Sequence, residues 1–300
     1  MVENVILRNK QTSALLELDV VNTPFYILDK VGWGQIKGTH HSYKYVKQIG
    51  VYVTSTSLET RDVSVSGWIV SNSELHMSQR KGVLNRFVNP QQPIELIYKN
   101  YSLEFLPDRT VKYSAMIKEN NEVVCKFEIA GLAANPLFKD TNTTNVPIAG
   151  MLGMFHFPMM LSAIDNGMPT VMMGLRQPSL IVNISNTGSV QTGMNIVFEA
   201  TGTVVNPSLI NIYTQEQFKI NKTIVAGETV VVSTTIGEKK IVGTLNGVSS
   251  NYFKYRDLRS SWLQLDTGDN AFKYDADNGI DSLNCTIEYS NKYLEVQECF

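Results

Sequence analysis

The clearest pattern in the first half of the chain is a strict alternation of polar and apolar residues over positions 61–69. Val63, Val65 and Ile69 fall on one side of an extended segment, because successive side chains of a strand point to opposite faces. The alternation predicts a β-strand with one buried face.

One helix is predicted directly after this strand. Asn72 or Ser73 is suited to be its N-cap, apolar side chains then recur at helical spacing, and Asn89-Pro90 ends the segment. The pattern predicts one amphipathic helix of about four turns over residues 73–88.

The rest of the first half consists of short β-type segments separated by turn formers. Three turn signals, Lys99-Asn100, Pro107-Asp108-Arg109 and Asn120-Asn121, each lie between such segments and predict β-hairpins. Asn135-Pro136 and the polar run 140–145 then mark a domain boundary. An antiparallel sheet packed on the helix accounts for this pattern.

No helical pattern occurs from Leu180 onward. Runs of Val, Ile and Thr such as residues 229–235 alternate with turn signals, a pattern typical of a β-sandwich or jelly roll. The turn signals are Gly188, Gly193, Gly202, Asn206-Pro207, Ala226-Gly227, Gly237 and Asn246-Gly247. We therefore predict a first domain over residues 1–138, a connector over 139–179 and a second domain over 180–300.

The predicted connector contains an apolar stretch, residues 146–164, that is about as long as a membrane span. Pro147, His156 and Pro158 interrupt it, and no basic residues flank it. We predict an extended connector packed on protein, without membrane insertion. Eight of the 11 methionines lie in or near this stretch, either as an adaptable interface or as irregular packing within the chain; they are Met151, Met154, Met159, Met160, Met168, Met172, Met173 and Met194.

The composition is that of a globular protein able to bury a core, since 43% of the 300 residues are hydrophobic and 18% are charged. The 26 basic residues are spread among 28 acidic ones without a long run of either sign, so sequence-specific nucleic-acid binding is not expected. Cys125, Cys285 and Cys299 lack the spacing of a disulfide framework or a zinc site. Together with a polar start that does not resemble a signal peptide, they favour synthesis in a reducing cytoplasm.

Motifs for catalysis or metal binding are absent from the sequence. It contains no P-loop, HExxH or Gly-x-Ser-x-Gly pattern, and His40 and His41 would point to opposite faces of a strand. Residues 275–279 lack the glycine and glutamate positions of a calcium loop and predict a turn. A glycoside hydrolase would need two carboxylates to converge, which sequence alone cannot show. We expect no enzymatic activity, no metal and no cofactor.

The order of several short motifs resembles that of the siphophage distal tail protein family over nearly the whole chain. None of these motifs is specific by itself, so the resemblance rests on their order. They are the strand at 61–69 with its helix, Asn89-Pro90, residues 93–98, 135–138 and 206–210, Gly227-Glu228, Asn246-Gly247 and residues 262–270.

This resemblance implies a mainly β protein with one helix, composed of an N-terminal antiparallel β domain and a C-terminal galectin-like or jelly-roll β-sandwich. The first domain would build a homohexameric ring that connects the tail tube protein to the tail-associated hub or lysin protein and leaves a channel for DNA. A receptor-binding protein and a host cell-wall glycan are further partners that such a position allows. The protein would be made in the host bacterial cytoplasm and lie at the virion tail tip.

One group of candidate binding residues lies in segment 25–47, which is rich in aromatic, Gly and His residues and predicts a long exposed hairpin. The resemblance implies that such a hairpin embraces the neighbouring subunit. Trp33, Tyr43 and Tyr45 are therefore the inter-subunit candidates.

A second group consists of Tyr252, Tyr255 and Trp262 in the second half of the chain. Aromatic faces pair well with the C–H surfaces of sugars, although alternate aromatic positions also pack in cores. Sugar stacking on these rings is the basis of an alternative hypothesis, a carbohydrate-binding host-adhesion module of the tail tip.

Overall fold

The computed structural model describes residues 4–19, 24–47, 49–119, 122–148, 150–153, 174–177 and 181–296. The chain folds as two compact units. The first contains the described residues up to Asn142 and those from Lys292 onward, and the second contains the described residues of Thr143–Asn291.

The first unit contains one α-helix, α1 (Glu74–Phe87), among antiparallel strands. The strands are β1 (Val5–Asn9), β2 (Leu15–Leu18), β3 (Phe25–Val31), β4 (Gly38–Tyr43), β5 (Tyr52–Leu58), β6 (Arg61–Ser71), β7 (Ile94–Tyr98), β8 (Tyr101–Pro107), β9 (Lys112–Tyr113), β10 (Ile117–Glu119), β11 (Glu122–Ala133), β12 (Phe138–Asp140) and the late strand β27 (Lys292–Tyr293).

The main sheet of the first unit closes on itself. Its strands follow the order β2-β1-β7-β8-β11-β6-β3, and a bridge between Asp19 and Tyr26 joins the two end strands. There the Asp19 N–H donates to the Phe25 carbonyl over 3.2 Å, and the Ile27 N–H donates to the Asp19 carbonyl over 3.4 Å. Closure leaves few unpaired edge groups, which otherwise favour unwanted strand pairing.

The strand and the helix predicted at the centre of the first half are confirmed. Strand β6 buries Val63, Val65 and Ile69 on its inner face. The Ser73 hydroxyl accepts a hydrogen bond from the His76 N–H over 3.3 Å and thereby caps α1. The helix turns its buried side chains, Met77, Leu84 and Phe87, toward the same core.

Two of the three hairpins predicted in the first half are present, whereas β8 and β9, on either side of Pro107-Asp108-Arg109, each pair with β11 instead of with each other. β7 pairs with β8 across Lys99-Asn100, where Lys99 has a φ of 52°. β10 pairs with β11, and the turn residues Asn120 and Asn121 themselves lie outside the described residues.

Arg61, the first residue of β6, is a buried cation of the first unit and is only 4% exposed. Its guanidinium donates to the carbonyls of Gly32 (2.6 Å), Gly34 (2.9 Å) and Pro136 (2.9 Å), and also to that of Leu294. It lies 4.9 Å from the centre of the Phe138 ring. Burial lowers the pKa of this guanidinium, and Glu295 partly opposes the shift. One side chain therefore holds three chain segments against β6.

The second unit is a β-sandwich. Its strands are β13 (Thr144–Pro147), β14 (Gly150–Gly153), β15 (Gly174–Gln177), β16 (Val182–Asn186), β17 (Met194–Ala200), β18 (Val204–Val205), β19 (Ser208–Asn211), β20 (Gln217–Lys219), β21 (Thr223–Ile224), β22 (Thr229–Ser233), β23 (Lys240–Leu245), β24 (Val248–Asn251), β25 (Gly268–Asp275) and β26 (Leu283–Tyr289), with short 3₁₀ helices at Phe253–Tyr255 and Ile280–Ser282.

Two sheets of the second unit enclose one core. The first has the order β13-β26-β17-β22-β23-β24 and the second the order β16-β25-β19-β20. Ile196 and Val230 from the first sheet share this core with Leu209, Phe272 and Tyr274 from the second. The predicted fold class is therefore confirmed, including the absence of a helical pattern in the described part after Leu180.

The boundaries between the units differ from the predicted ones in two places. β13 lies in the predicted connector but pairs with β26 and joins the sandwich. β27 lies in the predicted second domain but pairs with β12 of the first unit. Both strands satisfy edge hydrogen-bonding groups of strands distant in sequence, and no local pattern encodes such pairing.

Several residues that drew attention in the sequence lie outside the described part of the chain. They include residues 154–173 of the predicted connector, with most of its methionines, and Cys299. Met194 is described and is buried in the sandwich core. Within the described ranges, no helix is both long and apolar enough to cross a membrane.

Replacing Arg61 by Met is expected to destabilise the first unit by about 3–5 kcal/mol, because several buried carbonyls lose their donor at once. Urea unfolding monitored by circular dichroism measures this change. The matched control is Arg109→Met, since Arg109 is exposed and lies 4.0 Å from Glu128; we expect a change within about 0.5 kcal/mol. Equal effects of the two substitutions would contradict the role assigned to Arg61.

Candidate functional site

Strands β4 and β5 form a two-stranded antiparallel sheet that is separate from the main sheet of the first unit. The register pairs Gly38 with Leu58 and Tyr43 with Tyr52, with an irregularity between His41 and Ser42. All residues of both strands are exposed except Thr39, which is half-buried. We call residues 38–58 the arm. Isolated two-stranded sheets are marginally stable in water, so an arm of this kind gains from a partner surface.

The base of the arm is closed by a polar contact between its two ends. The Glu59 N–H donates to the Lys37 carbonyl over 2.9 Å, and the Lys37 ammonium lies 3.3 Å from the Glu59 carboxylate. The Thr39 hydroxyl donates to the same carboxylate. The hydrogen bonds from Thr39 and Lys37 lower the pKa of Glu59, so the carboxylate stays charged at neutral pH.

The far end of the arm exposes apolar side chains. Val46 is 93% exposed, Ile49 101% and Val51 56%. Beside them Tyr43 packs edge-on against Tyr45, with ring centres 5.0 Å apart, and the Tyr45 hydroxyl lies 3.2 Å from that of Tyr43. The hydrogen bond with Tyr45 raises the pKa of Tyr43. These apolar side chains on the arm are exposed and accessible to another protein.

Trp33, the third inter-subunit candidate, does not lie on the arm. It is 5% exposed, belongs to the core of the first unit and packs against Tyr98 with ring centres 4.9 Å apart. Its carbonyl accepts a hydrogen bond from the Val296 N–H over 3.2 Å. A residue so enclosed within its own subunit cannot supply contact area to a neighbour, so the expectation for Trp33 is corrected here.

The projecting hairpin is also displaced from the predicted segment 25–47. Residues Phe25–Val31 form β3, which pairs with β6 in the main sheet. The second strand of the arm, Tyr52–Leu58, was missed by the sequence analysis. Its run of Tyr, Val, Thr and Ser has high β propensity but is exposed throughout, so it lacks the polar and apolar alternation that marks a half-buried strand. Its β propensity was the signal that could have found it.

The structure brings together the three aromatic candidates of the second unit. Tyr252 and Tyr255 pack edge-on with ring centres 5.4 Å apart, and Trp262 lies 5.2 Å from Phe218 and 5.8 Å from Phe253. Tyr252, Tyr255 and Trp262 are partly buried against the sandwich core. Sugar stacking on these rings stays a prediction.

Cations already lie over the faces of these rings. Lys239 is 5.3 Å and Arg256 is 5.6 Å from the centre of the Trp262 ring. Lys254 is 4.9 Å from the centre of the Tyr255 ring, in the range of a cation–π interaction. A sugar that stacked on these faces would have to displace the cations.

A buried ion pair lies next to the two tyrosines. Lys222 lies 2.6 Å from Glu228, whose side chain is 2% exposed, and 4.6 Å from the centre of the Tyr252 ring. The Val225 N–H also donates to Glu228 over 3.1 Å. The Tyr252 ring lies so close to Gly243 that a Cβ there would be 1.9 Å from it.

The pKa values of this pair follow from opposing effects. Burial raises the pKa of Glu228, but hydrogen bonds from Lys222, the Val225 N–H and Tyr252 outweigh it, and the net shift is downward. Burial lowers the pKa of Lys222, and the hydrogen bond and charge of Glu228 reverse this shift. The pair therefore remains charged at neutral pH.

The residues considered for metal binding have other partners. His40 is 2.8 Å from the Thr56 hydroxyl on the facing strand of the arm. Asp277 accepts from Lys219 over 2.7 Å and from Asn206 over 2.8 Å, as part of the predicted turn before β26. In the described part of the chain, no group of three or more His, Cys, Asp or Glu residues could hold a metal ion.

Sequence comparison identifies both units. The family described as the phage tail protein RIFT-related domain matches residues 21–129, and the family described as the siphovirus-type tail component, C-terminal domain, matches residues 187–293. No curated protein matches the chain.

Solved structures share the fold over nearly the whole chain. The crystal structure of the Dit protein of phage SPP1, described as a paradigm of the hub adsorption apparatus in phages that infect Gram-positive bacteria, is 14% identical and has a TM-score of 0.66; the match covers 97% of this chain and 99% of that one. Two chains from the activated baseplate of phage P2, with Ca and with Sr, are 10% and 11% identical, with TM-scores of 0.56 and 0.52. Each of these matches covers 99% of this chain and 100% of that one.

A closed β unit with a RIFT-related profile, followed by a sandwich with a tail-component profile, defines a structural component of a phage tail. The chain belongs to the siphophage distal tail protein family, and the resemblance stated from the sequence is confirmed.

Glu228→Gln is expected to destabilise the second unit by about 2 kcal/mol at pH 7, because it leaves Lys222 without its anion. The pKa of Glu228 is lowered in the folded state, so its contribution is complete above the unfolded carboxyl pKa of about 4.3 and is lost as pH falls through the folded value. The difference from wild type should therefore shrink as pH falls below about 4.3.

Chemical denaturation of both proteins at several pH values measures this dependence. Glu238→Gln, at an exposed position, is the matched control and should leave stability nearly unchanged. A difference for Glu228→Gln that stayed constant with pH would show that the carboxylate charge is not what stabilises the unit.

Proposed function

We propose that this distal tail protein assembles through its first unit as a homohexameric ring at the virion tail tip. The ring connects the tail tube protein to the tail-associated hub protein and surrounds a channel through which DNA passes. The single observation that carries this proposal is the arm, which exposes several apolar side chains to solvent.

The physical argument starts from the solvent exposure of the arm. Burying one side chain such as Val46 or Ile49 contributes about 1.5–3 kcal/mol, and a free subunit leaves this contribution unused. A contact between the arm of one copy and a different surface of the next copy is heterologous, and repetition of such a contact around an axis closes a ring. The family to which the chain belongs, and the baseplate assemblies that share its fold, support this arrangement.

The arm candidates from the sequence then divide into two groups. Tyr43 and Tyr45 lie on the arm and remain proposed contact residues, together with the apolar residues Val46, Ile49 and Val51. Trp33 supports the first unit from within. The proposed role of the protein is mechanical, with the ring as an adaptor between the tail and the adsorption apparatus.

The triple variant Val46→Ser, Ile49→Ser, Val51→Ser is expected to fold but to lose the ring. Removing these side chains should weaken each subunit contact by about 3 kcal/mol, or roughly 100-fold. Native mass spectrometry over a concentration series, with negative-stain imaging of the largest species, measures assembly.

The matched control is Ile181→Ser, Ile236→Ser, Val248→Ser, which removes exposed apolar side chains from the second unit. We expect this variant to assemble as the wild type does. Rings that persist in the arm variant would show that the arm is not the contact, and a wild type that stays monomeric would mean that the ring forms only on its partners.

A further inference from the structure

The aromatic cluster of the second unit carries cations that have no ion-pair partner in the described part of the chain. Lys239 and Arg256 lie over Trp262, and Lys254 lies over Tyr255. None of the three cations forms an ion pair with a carboxylate among the described residues. We call Lys239, Phe253, Lys254, Tyr255, Arg256 and Trp262 the basic aromatic patch.

Two acidic residues close to the patch in the sequence, Glu228 and Asp257, have other hydrogen-bond or ion-pair partners. Glu228 is buried and bound by Lys222. The carboxylate of Asp257 accepts from Asn221 over 3.0 Å and from the Arg259 N–H over 2.8 Å. Neither carboxylate therefore forms an ion pair with a cation of the patch, and Lys239 and Lys254 are exposed to solvent.

Basic residues are also clustered along the sequence of the second unit. Its described Lys and Arg residues lie between Lys219 and Arg259, except Arg176 and Lys273. Lys219 and Lys222 form ion pairs, and three of the other five basic residues in this segment belong to the patch, against two further acidic residues, Glu238 and Asp257. This concentration favours an anionic partner at this face of the sandwich.

Apolar surface accompanies this charge. Phe253 is 46% exposed and Leu258 is 90% exposed, both in the segment that carries Lys254 and Arg256. Aromatic and aliphatic side chains of this kind contact the C–H faces of sugar rings. Because the ring faces hold Lys and Arg side chains in place, an anion that binds them restricts less side-chain motion.

We propose that the basic aromatic patch binds an anionic polysaccharide, one whose sugar units carry carboxylate or phosphate groups. The anionic groups of the polymer contact Lys239, Arg256 and Lys254. Because these cations lie over two different rings, Trp262 and Tyr255, they suit a ligand whose charges repeat along a polymer. The sugar rings contact Phe253 and Leu258. A neutral sugar would gain only the contacts with Phe253 and Leu258. To stack on Trp262, it would have to displace the cations. This binding is distinct from ring assembly and does not depend on it.

The test measures binding of the full chain to immobilised polygalacturonate and phosphomannan, with dextran as the neutral polysaccharide and polyglutamate as the acidic peptide. The wild type should bind one or both anionic polysaccharides more tightly than dextran and polyglutamate. The double variant Lys239→Gln, Arg256→Gln should weaken binding about tenfold or more, since a hydrogen bond to a charged group contributes about 1.5–3 kcal/mol. Lys239→Gln, Lys254→Gln is a second variant that retains the hydrogen bond of 2.9 Å from Arg256 to the Ser260 carbonyl.

The matched control is Lys240→Gln, Lys273→Gln, which changes the net charge equally but removes no cation over a ring. We expect less than a twofold loss for this control, with all variants compared in the same assembly state by native mass spectrometry. Comparison of binding to polygalacturonate with binding to phosphomannan distinguishes carboxylate from phosphate recognition. Three results would overturn the proposal. They are equal losses of affinity in the control and patch variants, binding to polyglutamate as tight as to the polysaccharides, and no binding to either anionic polysaccharide.

Discussion

The guanidinium of Arg61 is the interaction on which the first unit depends. It is buried and forms no ion pair with a carboxylate among the described residues, although the charge of Glu295 acts on it, so backbone carbonyls must replace the water that a cation loses on burial. Those carbonyls come from the segment before the arm, from the segment between β11 and β12, and from the returning C-terminal segment. The position from which the arm starts and the place where the chain returns to the first unit are therefore set by the same side chain.

The closed sheet is one reason why we propose the arm as the place of subunit contact. A sheet whose end strands meet at Asp19 and Tyr26 offers little free edge for strand pairing with another molecule. The arm, by contrast, is a separate pair of strands with its own register and an exposed apolar end. An adaptor in a tail needs both properties, a unit that does not aggregate through its edges and a projection that binds in one defined way.

The second unit shows how a buried polar pair supports a surface cluster. Lys222 and Glu228 compensate each other where burial alone would favour neutral side chains, and Lys222 in turn lies over the Tyr252 ring. Tyr252 packs on Gly243, whose missing side chain leaves room for the ring. The aromatic rings are thereby held at the surface of the sandwich, with Lys239, Lys254 and Arg256 over their faces.

Local patterns in the sequence determined much of the architecture. The alternation at Val63, Val65 and Ile69, the Ser73 cap and the turn at Lys99-Asn100 are short-range features, because strand period, helix capping and turn conformation depend on neighbouring residues. The mainly β class, the single described helix and the family followed from such features and from their order. The aromatic candidates Tyr43, Tyr45, Tyr252, Tyr255 and Trp262 were identified for the same reason, as unusual residues in short segments.

Only the tertiary structure decided which of these residues are exposed and what they touch. Trp33 is buried because Tyr98 and the Val296 N–H reach it from distant parts of the chain. Likewise, β13 joins the sandwich and β27 the first unit because their partner strands, β26 and β12, are available there. The sequence by itself determined the elements and the family, whereas burial, strand partnership and the cations over the rings depend on contacts between distant residues that no local pattern encodes.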